Sequence, residues 1–397
     1  MAYIGNKPTA VPLTSSDIQD GTITASDIAD STITSGKIAS GVIANQSAFK
    51  NIIINGDMSI AQRGTSGTLQ NGTGGYLCID RWNEIEGGSE SFVFTVSQDS
   101  DVPTGQGFVK SLKFDCTTAD ASLASDGALT FRQKIEGQNI QYLKKGTSNA
   151  VSTTLSFWVK SNKTGTYIIS LVDVDNTRSI SRSYTINTAD TWEKKTITYP
   201  GDTSGAFGND NGNSLQVEFY LGAGSNYTSG TLQTSWGSNV AANQRVGQVN
   251  LADSTDNNFW ITGVQLEIGT SASDFEFLPV DVNKNRCLRY YYVHAEGNSK
   301  QIGLGGYYNS TYITCGLQFP QEMRVAPTLV KTTGTNYYGI YRDNTIDDFN
   351  DFNNGIQNPT TTSCGMDCST NVSGTSGHVG RLITRNASSS IAFNSEL

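Results

Sequence analysis

The chain has 397 residues, of which 16% are charged and 41 are glycine, and it carries a net charge of −9. An acidic chain with no basic block excludes a nucleic-acid backbone as partner, because that affinity comes from clustered Lys and Arg. Sparse charge with abundant Gly, Ser, Thr and Asn favours β-strands joined by tight polar turns, in an all-β protein of two or three domains.

The opening "MAYIGNKPTAVPL" has no apolar run of signal-peptide length. No later stretch approaches the roughly 18 uninterrupted apolar residues of a membrane helix. A chain made in a cytoplasm and not inserted in a membrane is expected. From residue 13 an aliphatic side chain recurs every fifth position: Leu13, Ile18, Ile23, Ile28, Ile33, Ile38 and Ile43. Aligned by tens the stretch reads "LTSSDIQDGT", "ITASDIADST", "ITSGKIASGV". Thr14 and Thr24 stand three residues before Asp17 and Asp27, a spacing like that of a capping box, so each unit reads as strand, single helical turn and tight turn. A five-residue period fits neither strand nor helix as one continuous amphipathic element. Such small units bury too little surface alone, and a cyclic homo-oligomer that brings the same isoleucines to a shared axis supplies the rest. The composition by itself would also suit a disordered linker.

From residue 51 the pattern changes to alternation. "LTFRQKIEG" (129–137), "TTLSFWVKSN" (153–162), "GTYIISLVDVDN" (165–176), "SISRSYTIN" (179–187), "TWEKKTITYP" (191–200), "SLQVEFYLGAG" (214–224) and "NFWITGVQLEIG" (258–269) read as strands between Gly/Asn/Asp turns. Regular short strands predict a β-sandwich. Its expected core is Phe157, Ile169, Leu171, Val217, Phe219, Ile261, Val264 and Leu266. Sandwiches bind sugars through exposed rings, and the candidates are Trp158, Tyr184, Tyr220, Tyr227 and Trp236, each of which reads more simply as a core or inter-chain packing residue, since aromatics in strands usually bury. Trp236, in "SGTLQTSWGSN", is the best placed for exposure. Asp173, Asp175, Asp202 and Asp210 could offer oxygens to calcium, but no calcium-loop spacing is present and they read more simply as turn carboxylates.

After "FEFLPVDVNKNR" the chain becomes tyrosine-rich, with Tyr290, Tyr291, Tyr292, Tyr307, Tyr308, Tyr312, Tyr337, Tyr338 and Tyr341. Tyrosine is favoured on recognition surfaces, and the long Gly/Asn/Ser/Thr-rich stretch 343–378 resembles a set of binding loops. Candidate contacts are therefore Trp236, Tyr227, Tyr307, Tyr308, Tyr337, Tyr338 and Tyr341. The same tyrosines could instead pack an oligomer axis. The chain has two histidines, His294 and His378, and six cysteines, too few and too irregular for a disulfide framework. Cys364, Cys368 and His378 lack a fourth ligand and the tight spacing of a zinc site. No nucleophile elbow, zinc helix or phosphate loop occurs, so no catalytic residue, metal or cofactor is expected. A pair of carboxylates for glycan hydrolysis can come from distant strands, which leaves that activity as an alternative.

"MAYIGNKPT" followed by "LTSSDIQDGTITASDIADSTITSGKI" resembles the start of phage tail-fibre and virion-appendage proteins, especially of marine phages. "NIIINGDMSIAQRGTS", "DRW", "WITGVQLEIGTSASDFEFLPVDVNKNRCLRYYY" and "FPQEMRVAPT" are similar to segments of the same group, and the strand plan of the middle resembles the jelly-roll of carbohydrate-binding modules. The resemblance implies an attachment segment at 1–12, a trimeric repeat stalk at 13–49, a jelly-roll β-sandwich at 50–282 and a β-rich receptor-binding tip at 283–397. It implies a non-enzymatic homotrimer in the virion that docks to other virion proteins by its N-terminus and holds a host-surface glycan or outer-membrane receptor. A head fibre or collar spacer without a receptor, or a depolymerase tailspike, are the competing readings.

Overall fold

The computed structural model describes Asp27 and residues 49–397, and the expected attachment segment and all seven stalk positions from Leu13 to Ile43 lie outside the described residues. The chain divides into Met1–Lys50 and Asn51–Leu397. Among the described residues the strands all belong to the second unit. In chain order they are β1 (Ser66–Gln70), β2 (Asn83–Gly87), β3 (Val93–Asp99), β4 (Ser111–Thr118), β5 (Ala128–Glu136), β6 (Thr153–Ser161), β7 (Gly165–Asp173), β8 (Arg178–Ile186), β9 (Glu193–Tyr199), β10 (Asn213–Ala223), β11 (Gly237–Ser238) and β12 (Asn258–Ile268). After the helix Val280–Leu288 come β13 (Tyr291–Glu296), β14 (Gln301–Asn309), β15 (Tyr312–Gln318), β16 (Thr328–Lys331), β17 (Tyr338–Arg342), β18 (Thr345–Phe349), β19 (Gly355–Gln357), β20 (Ser363–Cys368), β21 (Val379–Thr384) and β22 (Ser390–Asn394).

The all-β reading holds. Two six-stranded antiparallel sheets, in the orders β1-β3-β4-β12-β6-β9 and β11-β8-β7-β10-β5-β2, form a sandwich. Alternation decides which side chains enter it. In β6, Leu155, Phe157 and Val159 point inward and are fully buried, and the other expected core residues are buried with them. The two inner faces meet through aromatic rings, Phe157 lying 5.4 Å from Phe219 and Phe114 5.1 Å from Phe131, while within the second sheet Phe131 stacks on its neighbour Phe219 at 4.7 Å. Each such ring removed from water stabilises the fold by about 1.5–3 kcal/mol.

Beyond the helix, a three-stranded sheet (β13-β22-β16) and a seven-stranded sheet (β18-β17-β21-β14-β15-β20-β19) enclose a second core around Tyr338, Ile340, Phe349, Phe352, Met366 and Phe393. Desolvated polar pairs tie this part to the sandwich. Glu136, at the end of β5, accepts from Nε and Nη2 of Arg289 at 2.8 Å each and from the Tyr290 hydroxyl. Arg81, 1% exposed, pairs with Glu396 and lies 3.4 Å from the Tyr290 ring centre. Cys287 and Tyr290 pack with Ile54 and Ile60 in a small apolar cluster beside these pairs. Removing one partner of a buried pair leaves a bare charge, which costs several kcal/mol, so these contacts resist separation. All six cysteines are free and buried.

Candidate functional site

Strand register assembles side chains on the outer face of the first sheet that are far apart in sequence. Trp260 of β12 pairs with Lys113 of β4 on one side and Lys160 of β6 on the other. In the next row, Thr262 faces Trp158, and Trp158 faces Lys194 of β9. Lys160 Nζ sits 4.2 Å above the Trp260 ring and 5.7 Å from Trp192, with Lys113 at 5.2 Å from Trp260. Asp101 anchors the row, taking the Lys160 ammonium and the Trp192 Nε1–H at 2.9 Å. Its partial burial works to raise its pKa, but those two donors outweigh burial and hold the carboxyl below its usual range. Trp158, Trp192 and Trp260, three of the chain's five tryptophans, thus share one sheet face.

Beside Trp158 the sheet is cut by a bulge. The β6–β12 register shifts between Thr262 and Gln265, and Gly263 adopts φ +64° there. Over the bulge lies a cleft of about 340 Å³ lined by Gly105, Gln106, Phe108, Ser156, Trp158, Lys194, Gly263, Asp274, Phe275 and Phe277. Its apolar wall is a cluster of Phe108, Phe275 and Phe277 with ring centres 4.9–5.1 Å apart, and Phe277 is half exposed. The volume falls in the range of small-ligand sites, about 300–1,000 Å³. Rings beside an amide, a hydroxyl, an ammonium and a carboxylate can cover an apolar sugar face and bond its hydroxyls.

The cleft needs glycine at its floor. A Cβ built on Gly263 meets Phe108 Cζ at 2.5 Å, and the backbone is left-handed. Gly263→Ala is expected to lower unfolding free energy by about 1–3 kcal/mol and to displace the Phe108 ring. Urea melts and the fluorescence of Trp158 would show both. An unchanged melting midpoint would mean the bulge tolerates a side chain.

The residues singled out from sequence are placed as follows. Trp236 is half-buried, donates Nε1–H to the Pro200 carbonyl at 2.8 Å and packs on the sandwich core. Tyr227 is half-buried against Arg245, 4.2 Å from its guanidinium carbon. Tyr307 and Tyr338 are core residues, which corrects their assignment to a contact surface. The Tyr307 hydroxyl donates to Asp347 at 2.8 Å and the Tyr338 hydroxyl to the Thr332 carbonyl at 2.7 Å, so both tips are satisfied inside. Tyr308 and Tyr341 are exposed, at 76% and 41%, and Tyr337 is half-buried. Exposed Leu304 and Val379 stand near them, on the paired strands β14 and β21. Tyr184 and Tyr220 are buried. Phe108, Phe275, Phe277 and Lys194 were not singled out; the alternating "FEF" at 275–277 was the available signal.

The carboxylates weighed as calcium ligands are otherwise engaged. Lys145, 4% exposed, brings its ammonium to 2.5 Å from Asp173 and 3.1 Å from Asp202. It also donates to the carbonyls of Ser204 and Gly205 at 2.8 and 2.7 Å. A lysine thus supplies the positive charge inside an oxygen cage of the kind a hard cation prefers. Asp175 and Asp210 accept from the backbone N–H of Gly208 and Gly212, as turn carboxylates do. Among the described residues no group of three metal-ligating side chains forms.

No protein-family model and no curated protein matches the chain. Solved structures with a distant likeness include two from carbohydrate-active proteins and one from a phage. The enzymatically active domain of tailspike protein 4 of bacteriophage CBA120 is 16% identical with a TM-score of 0.30, over 56% of this chain and 22% of that one. The family 11 carbohydrate-binding module of Clostridium thermocellum, solved with a mixed-linked β-1,3-1,4 tetrasaccharide, is 12% identical over 53% of this chain and 98% of the module, with a TM-score of 0.26. The N-terminal cellulose-binding domain of β-1,4-glucanase C from Cellulomonas fimi is 8% identical over 44% of this chain and 85% of that domain, with a TM-score of 0.24. At these identities and scores the likenesses say nothing of ligand or role.

Proposed function

We propose that the chain is a non-enzymatic virion appendage of a phage, a homotrimeric tail fibre that holds the host cell through a surface glycan. The observation that carries the binding role is the open cleft at Trp158, with its phenylalanine wall and ring of polar groups. The likeness of residues 1–46 to phage appendage proteins supports the virion role. In this reading residues 1–12 dock to other virion proteins, 13–49 form the stalk, 50–282 the sandwich and 283–397 the tip. Exposed Tyr308 and Tyr341 offer a second contact surface there. Three copies on one stalk would turn weak sugar contacts into firm attachment through effective concentration.

The test uses the full chain and polysaccharide extracted from the host surface. Trp158→Ala is expected to weaken binding about 30-fold, the effect of losing a roughly 2 kcal/mol anchor, with little change in melting temperature because the ring is half-buried. The polysaccharide should come through prolonged incubation at its original length. Unchanged affinity would remove the cleft from the mechanism, and shortened chains would make the protein a depolymerase. Light scattering of the full chain beside one starting at residue 49 tests the stalk. A monomer in both would end the trimer reading.

A further inference from the structure

The outer face of the second sheet is polar, yet much of it is buried. Register sets Asn83, Arg132, Glu218, Ser170 and Ser181 in one row across β2, β5, β10, β7 and β8. That row satisfies itself. Arg132 donates to Asn83 at 3.1 Å and to Glu218 at 3.0 Å, and the Ser170 and Ser181 hydroxyls bond at 2.7 Å. In the neighbouring row Thr130 faces Tyr220. The chain leaving β10 returns to this sheet, with Gln248 accepting from the Ile168 N–H at 2.7 Å and Val249 N–H donating to Thr166 at 3.0 Å.

This returning segment brings Arg245 onto the face. Its guanidinium carbon lies 4.2 Å from the ring centres of both Tyr220 and Tyr227. The residue is only 8% exposed, and its Nε and Nη1 atoms are buried without an acceptor. Among the described residues it forms no ion pair. Glu218, the carboxylate on the same strand as Tyr220, is engaged elsewhere: Oε1 takes Arg132 at 3.0 Å and Oε2 takes the Tyr220 hydroxyl at 2.8 Å. The Thr130 hydroxyl, opposite Tyr220, is a further buried polar group with no partner. Burying an unpaired cation is expensive, and two ring contacts return only about 0.5–2 kcal/mol each. The face therefore presents an unmet demand for an anion, bordered by the exposed polar residues Ser225, Asn226 and Ser229.

We propose that the Tyr220–Arg245–Tyr227 stack is an anion-recognition subsite for the carboxylate of an acidic sugar, which makes the glycan of the preceding reading a hexuronate-bearing polymer. The tyrosine rings hold the guanidinium plane, and Nη2, which is not enclosed as Nε and Nη1 are, offers a carboxylate a charge-assisted bond. The surrounding side-chain amide and hydroxyls suit sugar hydroxyls, which favours a glycan over an acidic peptide.

The experiment measures binding of the full chain to a hexuronate oligomer and to its carboxyl-reduced neutral counterpart by calorimetry. The wild-type chain should prefer the acidic oligomer at least tenfold, increasingly so at low salt. Arg245→Gln should bring the two ligands level, while Arg245→Lys and Tyr227→Ala should keep part of the preference. Equal affinity of the wild-type chain for both oligomers would overturn the subsite and leave glycan binding standing. Binding of neither would end the glycan reading instead. The subsite then stands or falls by the melting temperature in glucuronate: a rise in wild type that Arg245→Gln abolishes sustains it, and no rise, or an equal rise in sulfate, overturns the sugar assignment. If Arg245→Gln fails to fold, the Lys and Tyr227 variants carry the comparison.

Discussion

Replacing Lys145 by methionine should lower the unfolding free energy by about 3–5 kcal/mol, the usual cost of breaking a buried ion pair from one side. Asp173 and Asp202 are 0% and 3% exposed at the side chain, and the ammonium touches both. Without it Asp202 keeps Arg178, whose Nε lies at 2.8 Å, while Asp173 keeps only neutral donors from Asn176. Burial by itself pushes the Asp202 carboxyl up, and the donors from Arg178, Ser204 and Lys145 together outweigh it to hold the group below its ordinary value. A group depressed in this way stabilises the fold above its unfolded pKa and loses that contribution as pH falls through the folded value. The variant should therefore differ most from wild type near pH 7, and the difference should shrink as the solution is acidified below the ordinary Asp value of 3.8, where wild type gives up the Asp202 contribution. In melting temperature the loss is on the order of 10 °C at pH 7. A variant that melts within two or three degrees of wild type there would show that solvent enters the cage and that the pair is not truly desolvated.

The same cage shows what a sequence does and does not disclose. The acidic residues at 173 and 202 are visible as a group, but nothing in their spacing names Lys145 as the charge between them, because loop closure alone brings it there. Strands are more legible than sites. Alternation in "LSFWVK" and "LQVEFYL" places β6 and β10 within a residue or two and sorts their inner side chains correctly, since period-two burial is a local property. The strands β1 to β4 escape that reading, because Gly-dense stretches such as "NGTGGY" and "EGGSES" interrupt their pattern. The tyrosine-rich tail misleads for a related reason. Tyr307 and Tyr308 are adjacent in sequence and therefore on opposite faces, one in the core and one in solvent, and composition cannot tell which. The cleft is the hardest feature to foresee. Phe108 and Phe275 are distant in sequence and meet only because a bulge at Gly263 turns β12 beneath them.

Glu84 gives the fold a second and opposite dependence on pH. It lies on β2 with its side chain inside the sandwich, where Oε2 accepts the Leu77 N–H at 3.1 Å and Oε1 has no partner. Burial raises its carboxyl to about 8, more than the backbone donors can offset. Asp80 nearby is raised too, by the same desolvation. The unfolded chain releases this proton near pH 4.3, and the folded chain keeps it until about pH 8. Between those values the native state binds more protons than the unfolded one, so this contribution is complete below the lower value and drains away as pH rises through the upper. Glu136 works the other way. Its burial is outweighed by bonds from Arg289 and Tyr290, its carboxyl is depressed, and its contribution disappears in acid. Stability should therefore peak in mildly acidic solution and decline toward pH 8. Glu84→Gln retains the shape and the acceptor for Leu77 without the charge. It should match wild type near pH 4.5 and exceed it at pH 8.5 by on the order of 5 kcal/mol. Urea unfolding at those two values decides the matter: parallel curves for the two proteins would mean that Glu84 is already ionised in the folded chain at neutral pH, with water or a cation reaching Oε1.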